Sequence, residues 1–263
     1  MPELIIDRRF QTDPVMNRGY RGLMPRDWKT NPYGSIACAT PYDLKLIDRS
    51  EWKDRIRQME KDQSRLSDIL KDAGLKALNQ MRTNYCHANA PAMAIMVLRA
   101  VQGIKLPVPL SPASIAGPIT GFRNEGAYIH QDLRQITEVG CASQDFVPAN
   151  QIGREGFRTG WEADAAKNRV TEWFDFPEPD GKMFDRIMTC LLSGIPVCTA
   201  HNWWGHAVLA LDPWFDAQGY GTRDINSWGE DFPEQGDGGF FILREQPATA
   251  DEAYAPRSLV MAV

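Results

Sequence analysis

Four residues from three separate stretches of the chain carry side chains that can act together in acyl transfer: Gln80, Cys86, His206 and Asn226. Cys86 sits where a loop gives way to a helix signal, and the partial positive charge of a helix N-terminus favours a thiolate over a thiol. A histidine can take the thiol proton and later return it to a leaving amine. An asparagine side-chain oxygen can accept from the other ring N–H and so fix the imidazole. A glutamine amide can donate to the oxyanion of a tetrahedral intermediate. Each has a plainer reading on its own. Gln80 would be a solvated surface residue, His206 a core histidine in an apolar strand, Asn226 a turn residue and Trp228 core. The other cysteines, Cys38, Cys141, Cys190 and Cys198, read as small inert thiols.

The elements that must position these groups follow from periodicity. Ala90, Ala94, Val97 or Leu98, and Val101 form a stripe that makes Cys86 the start of a helix ending before Gly103, with Pro91 in its first turns. Upstream, a helix starts at Ser50 as N-cap, carries Trp52, Ile56 and Met59, and continues through Leu66, Ile69 and Leu70 to Gly74. Pro107, Pro109, Pro112 and Pro118 mark a loop region. Further helices are expected over Tyr128–Val139, stopped by Gly140, and over Met183–Leu192, stopped by Gly194. Short β-rich runs follow at Pro196–Ala200, Ala207–Leu211, Gly221–Ile225, Phe240–Leu243 and Ser258–Val263. His206 opens one of these runs and Asn226 closes another. Residues 1–49 lack periodicity and read as irregular chain anchored at Trp28 and Tyr33. A helical first half and a β-rich second half give an α+β class, with two subdomains flanking a cleft.

The segments NQMRTNYCHANAPAMAI (79–95), NWWGHAVLALD (202–212) and DINSWGEDFPEQGDGGFFILRE (224–245) resemble the papain family of cysteine proteases. There an oxyanion-hole Gln lies six positions before the nucleophile, as Gln80 does before Cys86. The HAVLAL, NSWG and GGFFIL runs fit the family's His, Asn and final-strand motifs, and Leu110-Ser111-Pro112 resembles its segment after the central helix. The resemblance covers about residues 75–245. It implies a papain-like fold with a helical and a barrel-like β subdomain, and a cysteine-type endopeptidase acting on a peptide or protein substrate. It also implies Cys86, His206 and Asn226 as triad, Gln80 as oxyanion donor, and Trp228 as shield of the Asn226–His206 bond. Asn124, Glu125 and Gly126 fall at the family's substrate-binding stretch, and with Trp228 they complete the expected substrate-contacting set.

Several positions depart from the family pattern. Thr83 replaces a disulfide cysteine, Asn84 a glycine at the S1 side of the cleft, and His87 the Trp after the nucleophile. His87 points about 100° away from Cys86 on the helix, so it is not the base, although it is placed to alter the thiolate. Asp231-Phe232-Pro233 replaces a Gly-Trp-Gly run, a change in packing rather than chemistry. The largest departure is that 85 residues precede Cys86. Residues 1–74 form an extension to a protease domain at 75–263. In many family members such an extension is an inhibitory propeptide filling the cleft. The family's propeptide motifs are not evident here, so the favoured reading is an integral extension packed on the domain or on a neighbour.

Composition narrows the alternatives. The 263 residues are 43% hydrophobic and 24% charged, with net charge −5, as for an ordinary globular chain of one to two domains and not a general nucleic-acid binder. No apolar run reaches the roughly 18–20 residues of a membrane span, and MPELIIDRRF is not a signal peptide. Five irregularly spaced cysteines and four histidines imply neither a disulfide framework nor a metal site, and no cofactor is implied. The expected setting is cytoplasmic or virion-associated. A competing reading is a structural or virion-assembly protein of bacterial or phage type with vestigial activity, binding copies of itself or a larger assembly through residues 1–49. A third keeps the chemistry and transfers the acyl group to an amine.

Overall fold

The computed structural model describes residues 4–6, 20–31, 44–177, 180–232, 238–244 and 248–259. Cys38, Tyr33, Pro233 and residues 260–263 lie outside that set. The first long helix, α1 (Arg49–Asp62), is capped by Asp48, whose carboxylate accepts the Ser50 N–H at 2.8 Å; Ser50 is therefore inside the helix and not its cap. The single helix expected to Gly74 is two. Gln63 takes a left-handed φ of 52° and ends α1, and α2 (Leu66–Asp72) begins afresh. The break has a packing cause. Trp52 and Ile56 bury against Met188 and Leu192, whereas Leu66 and Leu70 join the main core, and one straight helix does not serve both surfaces.

The central helix α3 (Cys86–Val101) is buried on nearly every face, as its alanines allow. Pro91 is its sixth residue, past the four positions whose N–H groups lack an intrahelical acceptor, so it removes a bond to the His87 carbonyl. The proline region is not all loop. Pro112 starts α4 (Ala113–Ile119), with Pro118 in its last turn. Helix α5 (Ile129–Glu138) falls where expected, whereas α6 (Trp161–Ala165) is too short to leave a periodic signal. Helix α7 (Met183–Leu192) also matches its expected span.

Seven strands form one sheet in the order β1-β6-β5-β4-β3-β7-β2, antiparallel except for β1 beside β6. They are β1 (Ile5–Ile6), β2 (Val170–Asp175), β3 (Val197–His201), β4 (His206–Asp216), β5 (Gly219–Ile225), β6 (Phe240–Arg244) and β7 (Glu252–Leu259). The sequence reading missed β1 and β2, and it set the last strand six residues late. Asp251-Glu252 and Pro256-Arg257 hide the alternation of β7, and Pro256 lies past its stretch paired to β3. The middle strand, β4, is apolar on both faces. Ala207, Leu209 and Leu211 join the core around α3, and Ala210 joins the cluster around α7. The β-rich half is therefore a sheet flanked by helices on both faces. The start of α3 and the start of β4 are brought together at one end.

Candidate active site

Cys86 is the first residue of α3, and its Sγ accepts the backbone N–H of Ala207 on β4, of Leu23 and of His87. The thiol is fully buried, and burial pushes its pKa up to about 12, with the nearby Asp132 carboxylate adding to the rise. The three N–H groups and the helix N-terminus act the other way and are outweighed. Cys141 reaches about 12 for the same reason, so in this closed arrangement the thiol of Cys86 is not distinguished by acidity.

His206 opens β4, and its Nε2 lies 2.9 Å from Asn226 Oδ1. That oxygen also accepts the Ser227 N–H at 2.7 Å, which identifies it as an acceptor. Nε2 therefore carries the ring proton, and Nδ1 keeps a lone pair with no hydrogen-bond partner. The ring packs against Trp204 and Trp228, at centroid distances of 4.6 and 4.8 Å, and the two indoles meet each other edge to face at 5.6 Å. Burial lowers its pKa to about 4. The bond to Asn226 opposes the shift and the Arg21 charge adds to it.

Gln80 is equally buried. Its Oε1 accepts from Ser227 Oγ at 2.6 Å, and its Nε2 donates to the Thr83 carbonyl at 2.9 Å and the Tyr20 carbonyl at 2.8 Å. The stretch holding Gln80 is stitched to the one holding Asn226. Gln80 N–H donates to the Ser227 carbonyl, Gly229 N–H donates to Leu78, and Asn79 bridges Trp228. Gly229 has φ 85°, and a Cβ there would stand 2.7 Å from the Asn79 side chain, so only glycine fits the join. The structure thus brings Gln80, Cys86, His206, Asn226 and Trp228 into one neighbourhood.

The other expected contacts are placed differently from one another. Asn124 braces the loop before the nucleophile: its Oδ1 accepts Asn84 N–H at 2.8 Å, and its Nδ2 donates to the Arg82 carbonyl at 3.0 Å. Glu125 pairs with Arg123 on the surface. Gly126 faces Gly22, whose carbonyl would meet an added Cβ at 2.3 Å.

What the sequence did not reveal is a covering segment, residues 20–24. The Tyr20 carbonyl receives both Gln80 Nε2 and Trp228 Nε1, the latter at 3.2 Å. Gly22 is pinched so tightly that a Cβ would fall 1.7 Å from the Asn84 carbonyl oxygen. Leu23 forms a parallel bridge with Ala127, flanked by Ala127 N–H to Gly22 and Met24 N–H to Ala127, and is buried. Only the glycine of GYRGL hints at such a close approach, and no periodicity marks it. Also unforeseen is Asp132 on α5, 2.8 Å from His87 Nδ1, with both side chains fully buried behind the nucleophile. Burial raises the Asp132 pKa, while His87 opposes the rise.

No family model matches the chain, and no curated protein matches it. Solved structures do. Xylellain, a cysteine protease from Xylella fastidiosa, aligns with TM-score 0.61 and 17% identity over 91% of this chain and 96% of its own. The digestive procathepsin L2 proteinase of Tenebrio molitor larval midgut aligns with TM-score 0.61 and 15% identity over 96% and 83%. Procathepsin B S9 from Trypanosoma congolense gives 0.57 and 13% over 95% and 89%. At these identities the likeness is one of fold. The chain has the α+β fold of the papain-like cysteine proteases.

Proposed function

We propose that this protein is a cysteine peptidase whose residues 20–24 hold it latent. The observation that carries the reading is the state of His206, turned by Asn226 so that the Nδ1 lone pair is left to accept a proton, on the strand whose next residue, Ala207, donates its N–H to the Cys86 sulfur at the start of α3. In the reaction, Nδ1 takes the Cys86 proton and the thiolate sulfur bonds to the peptide carbonyl carbon. The carbonyl oxygen, now negative, is met by Gln80 Nε2 and by the Cys86 backbone N–H, one of the unpaired donors at the start of α3. The imidazolium passes its proton to the leaving amine as the C–N bond breaks, leaving a thioester. Water, deprotonated by His206, then cleaves the thioester and restores the thiol.

Latency follows from the same contacts. The Tyr20 carbonyl occupies Gln80 Nε2, the donor the oxyanion needs, and the Leu23 N–H occupies Cys86 Sγ. Burial then keeps the thiol and imidazole both neutral at pH 7. In the procathepsin L2 alignment, 96% of this chain is covered, so the likeness reaches into residues before 75. No observation favours the assembly-component reading.

The test is hydrolysis of an unfolded protein by the full chain carrying Gly22→Val, analysed by mass spectrometry of the fragments. Internal cleavage that disappears with Cys86→Ala and with His206→Ala supports an endopeptidase. Absence of cleavage across pH 4–8, with Cys86 accessible to small alkylating agents, overturns it.

A further inference from the structure

Gly22 of the covering segment lies between the two groups the chemistry needs. The Tyr20 carbonyl, two positions before it, holds Gln80 Nε2, and the N–H of Leu23, just after it, reaches Cys86 Sγ. Gly22 does not take a left-handed φ, so what demands glycine there is space and not backbone conformation. A Cβ on it would stand 1.7 Å from the Asn84 carbonyl oxygen and 2.4 Å from the carbonyl carbon. A Cβ on Gly126 would in turn stand 2.3 Å from the Gly22 carbonyl oxygen. At Gly22 the segment therefore rests on two backbones, on a seat deep enough for a bare main chain and nothing more.

This seat cannot yield by a change of rotamer, because the atoms that crowd it are backbone. It is also fastened. Asn124 Oδ1 accepts the Asn84 N–H at 2.8 Å, Asn84 Nδ2 donates to the Asn124 carbonyl at 3.0 Å, and Asn124 Nδ2 donates to the Arg82 carbonyl at 3.0 Å. Two side chains thus tie the stretch before α3 to the stretch before α5. The depth of the occupant is set by Ala127, whose N–H donates to the Gly22 carbonyl at 2.9 Å and whose carbonyl accepts the Met24 N–H at 3.0 Å. A substrate chain that replaces the segment meets the same Ala127 groups and the same Gln80 donor, and pairing with them draws its backbone to the same depth. The residue of that chain lying over Asn84 then has no room for a Cβ.

We infer that this seat selects glycine, and that the substrates are peptides or proteins with glycine as the residue whose carbonyl Cys86 attacks, Asn84 and Gly126 setting the limit and Asn124 holding them in place. The inference rests on the peptidase reading and deepens it by naming the substrate class. The test starts from fragments of an unfolded protein cut by full-length Gly22→Val and mapped by mass spectrometry, in which glycine is expected at the new C-termini. For two peptides built on one mapped site, differing only in Gly or Ala at that position, kcat/KM is expected to favour glycine by about tenfold or more, the discrimination one crowded methyl can supply. Adding Asn124→Ala, which unfastens the seat, is expected to shrink the Gly-to-Ala ratio. An Asn124 that only supports the fold would lower both rates alike, and an unchanged ratio removes it from the site. A second arm needs no turnover. In full-length Gly22→Ala the added methyl is expected to lift the segment and speed alkylation of Cys86 by iodoacetamide about tenfold or more. Alkylation as slow as in the unaltered chain would show that the seat admits a Cβ and would overturn the inference. Equal cleavage of the Gly and Ala peptides also overturns it and leaves the peptidase standing. No cleavage of any substrate, with fast alkylation in Gly22→Ala, overturns the peptidase and the substrate assignment together, and leaves Gly22 as a fit of the segment to its seat.

Discussion

At the scale of single residues, one oxygen decides what His206 can do. Asn226 Oδ1 accepts from Nε2 and leaves the Nδ1 lone pair unused, so Asn226→Ala loses the tautomer as well as the orientation. We expect peptide hydrolysis by an open chain to fall at least about tenfold. Asn226→Asp, which keeps the acceptor, is expected to restore part of the rate. Gln80 acts later in the reaction, when negative charge appears. Gln80→Ala is expected to lower kcat/KM for peptides by about 10²-fold, while alkylation of Cys86 by iodoacetamide, which forms no oxyanion, changes little. These residues were legible in the sequence because each sits in a run whose neighbours are distinctive and whose order is fixed. Ser227, which aims Gln80 through a 2.6 Å hydrogen bond, was visible only as part of NSWG, and Asp132 had no local signal at all. Its partner His87 lies 45 residues away, and only the packing of α5 on α3 joins them.

At the scale of elements, the segment 20–24 controls access. Gly22 lies against the Asn84 and Gly126 backbones, where no side chain fits. Gly22→Val therefore must lift the segment or distort two backbones, and lifting requires fewer changes. The pH profile of Cys86 alkylation reads this out. In the closed chain the thiol, pushed up to about 12, reacts with a rate that climbs through the alkaline range. In Gly22→Val the helix N-terminus and a solvated His206 act on an unburied sulfur, and a reactive plateau is expected at or below neutral pH. An identical profile in both chains would mean that the segment does not gate the thiol. The longer elements were read well, since α5 and α7 each bury a stripe with helical period, and α3, buried on nearly every face, still starts at Cys86 and ends before Gly103 as expected. The failures have specific causes. The sequence from Trp52 to Leu70 is apolar at helical spacing throughout, but it serves two cores and breaks at Gln63. The prolines at 112 and 118 bracket a helix rather than exclude one.

At the scale of the whole molecule, buried ionisable groups oppose one another across the acid range. Burial raises the Asp224 pKa from 3.8 to about 7, aided by Asp212 and resisted by the Thr222 hydroxyl. A carboxyl that stays neutral in the fold contributes its stability below pH 3.8, where both states are protonated, and that contribution is lost as pH rises through about 7. His206 and His201, lowered to about 4 and about 3, work in the other direction: their contribution is present above 6.5 and lost as pH falls toward 4. The difference between wild type and Asp224→Asn isolates the acid. In urea unfolding, the wild type is expected to lose stability relative to Asp224→Asn between pH 4 and 7, by up to several kcal/mol. A constant offset between the two curves would contradict a neutral Asp224. The α+β class was readable from the change of texture along the chain. The arrangement of α3 and α7 on opposite faces of the sheet was not, because alternation along β4 is masked when both faces are apolar. The central claim, a peptidase closed over its own Cys86–His206 pair, is tested most directly by labelling full-length and Gly22→Val chains with an epoxysuccinyl probe and mapping the adduct. The account predicts slow labelling of the full-length chain, and rapid labelling of Gly22→Val at Cys86 alone, abolished by His206→Ala. Labelling of Cys86 in the opened chain no faster than of Cys141 or Cys198, or undiminished without His206, would contradict it.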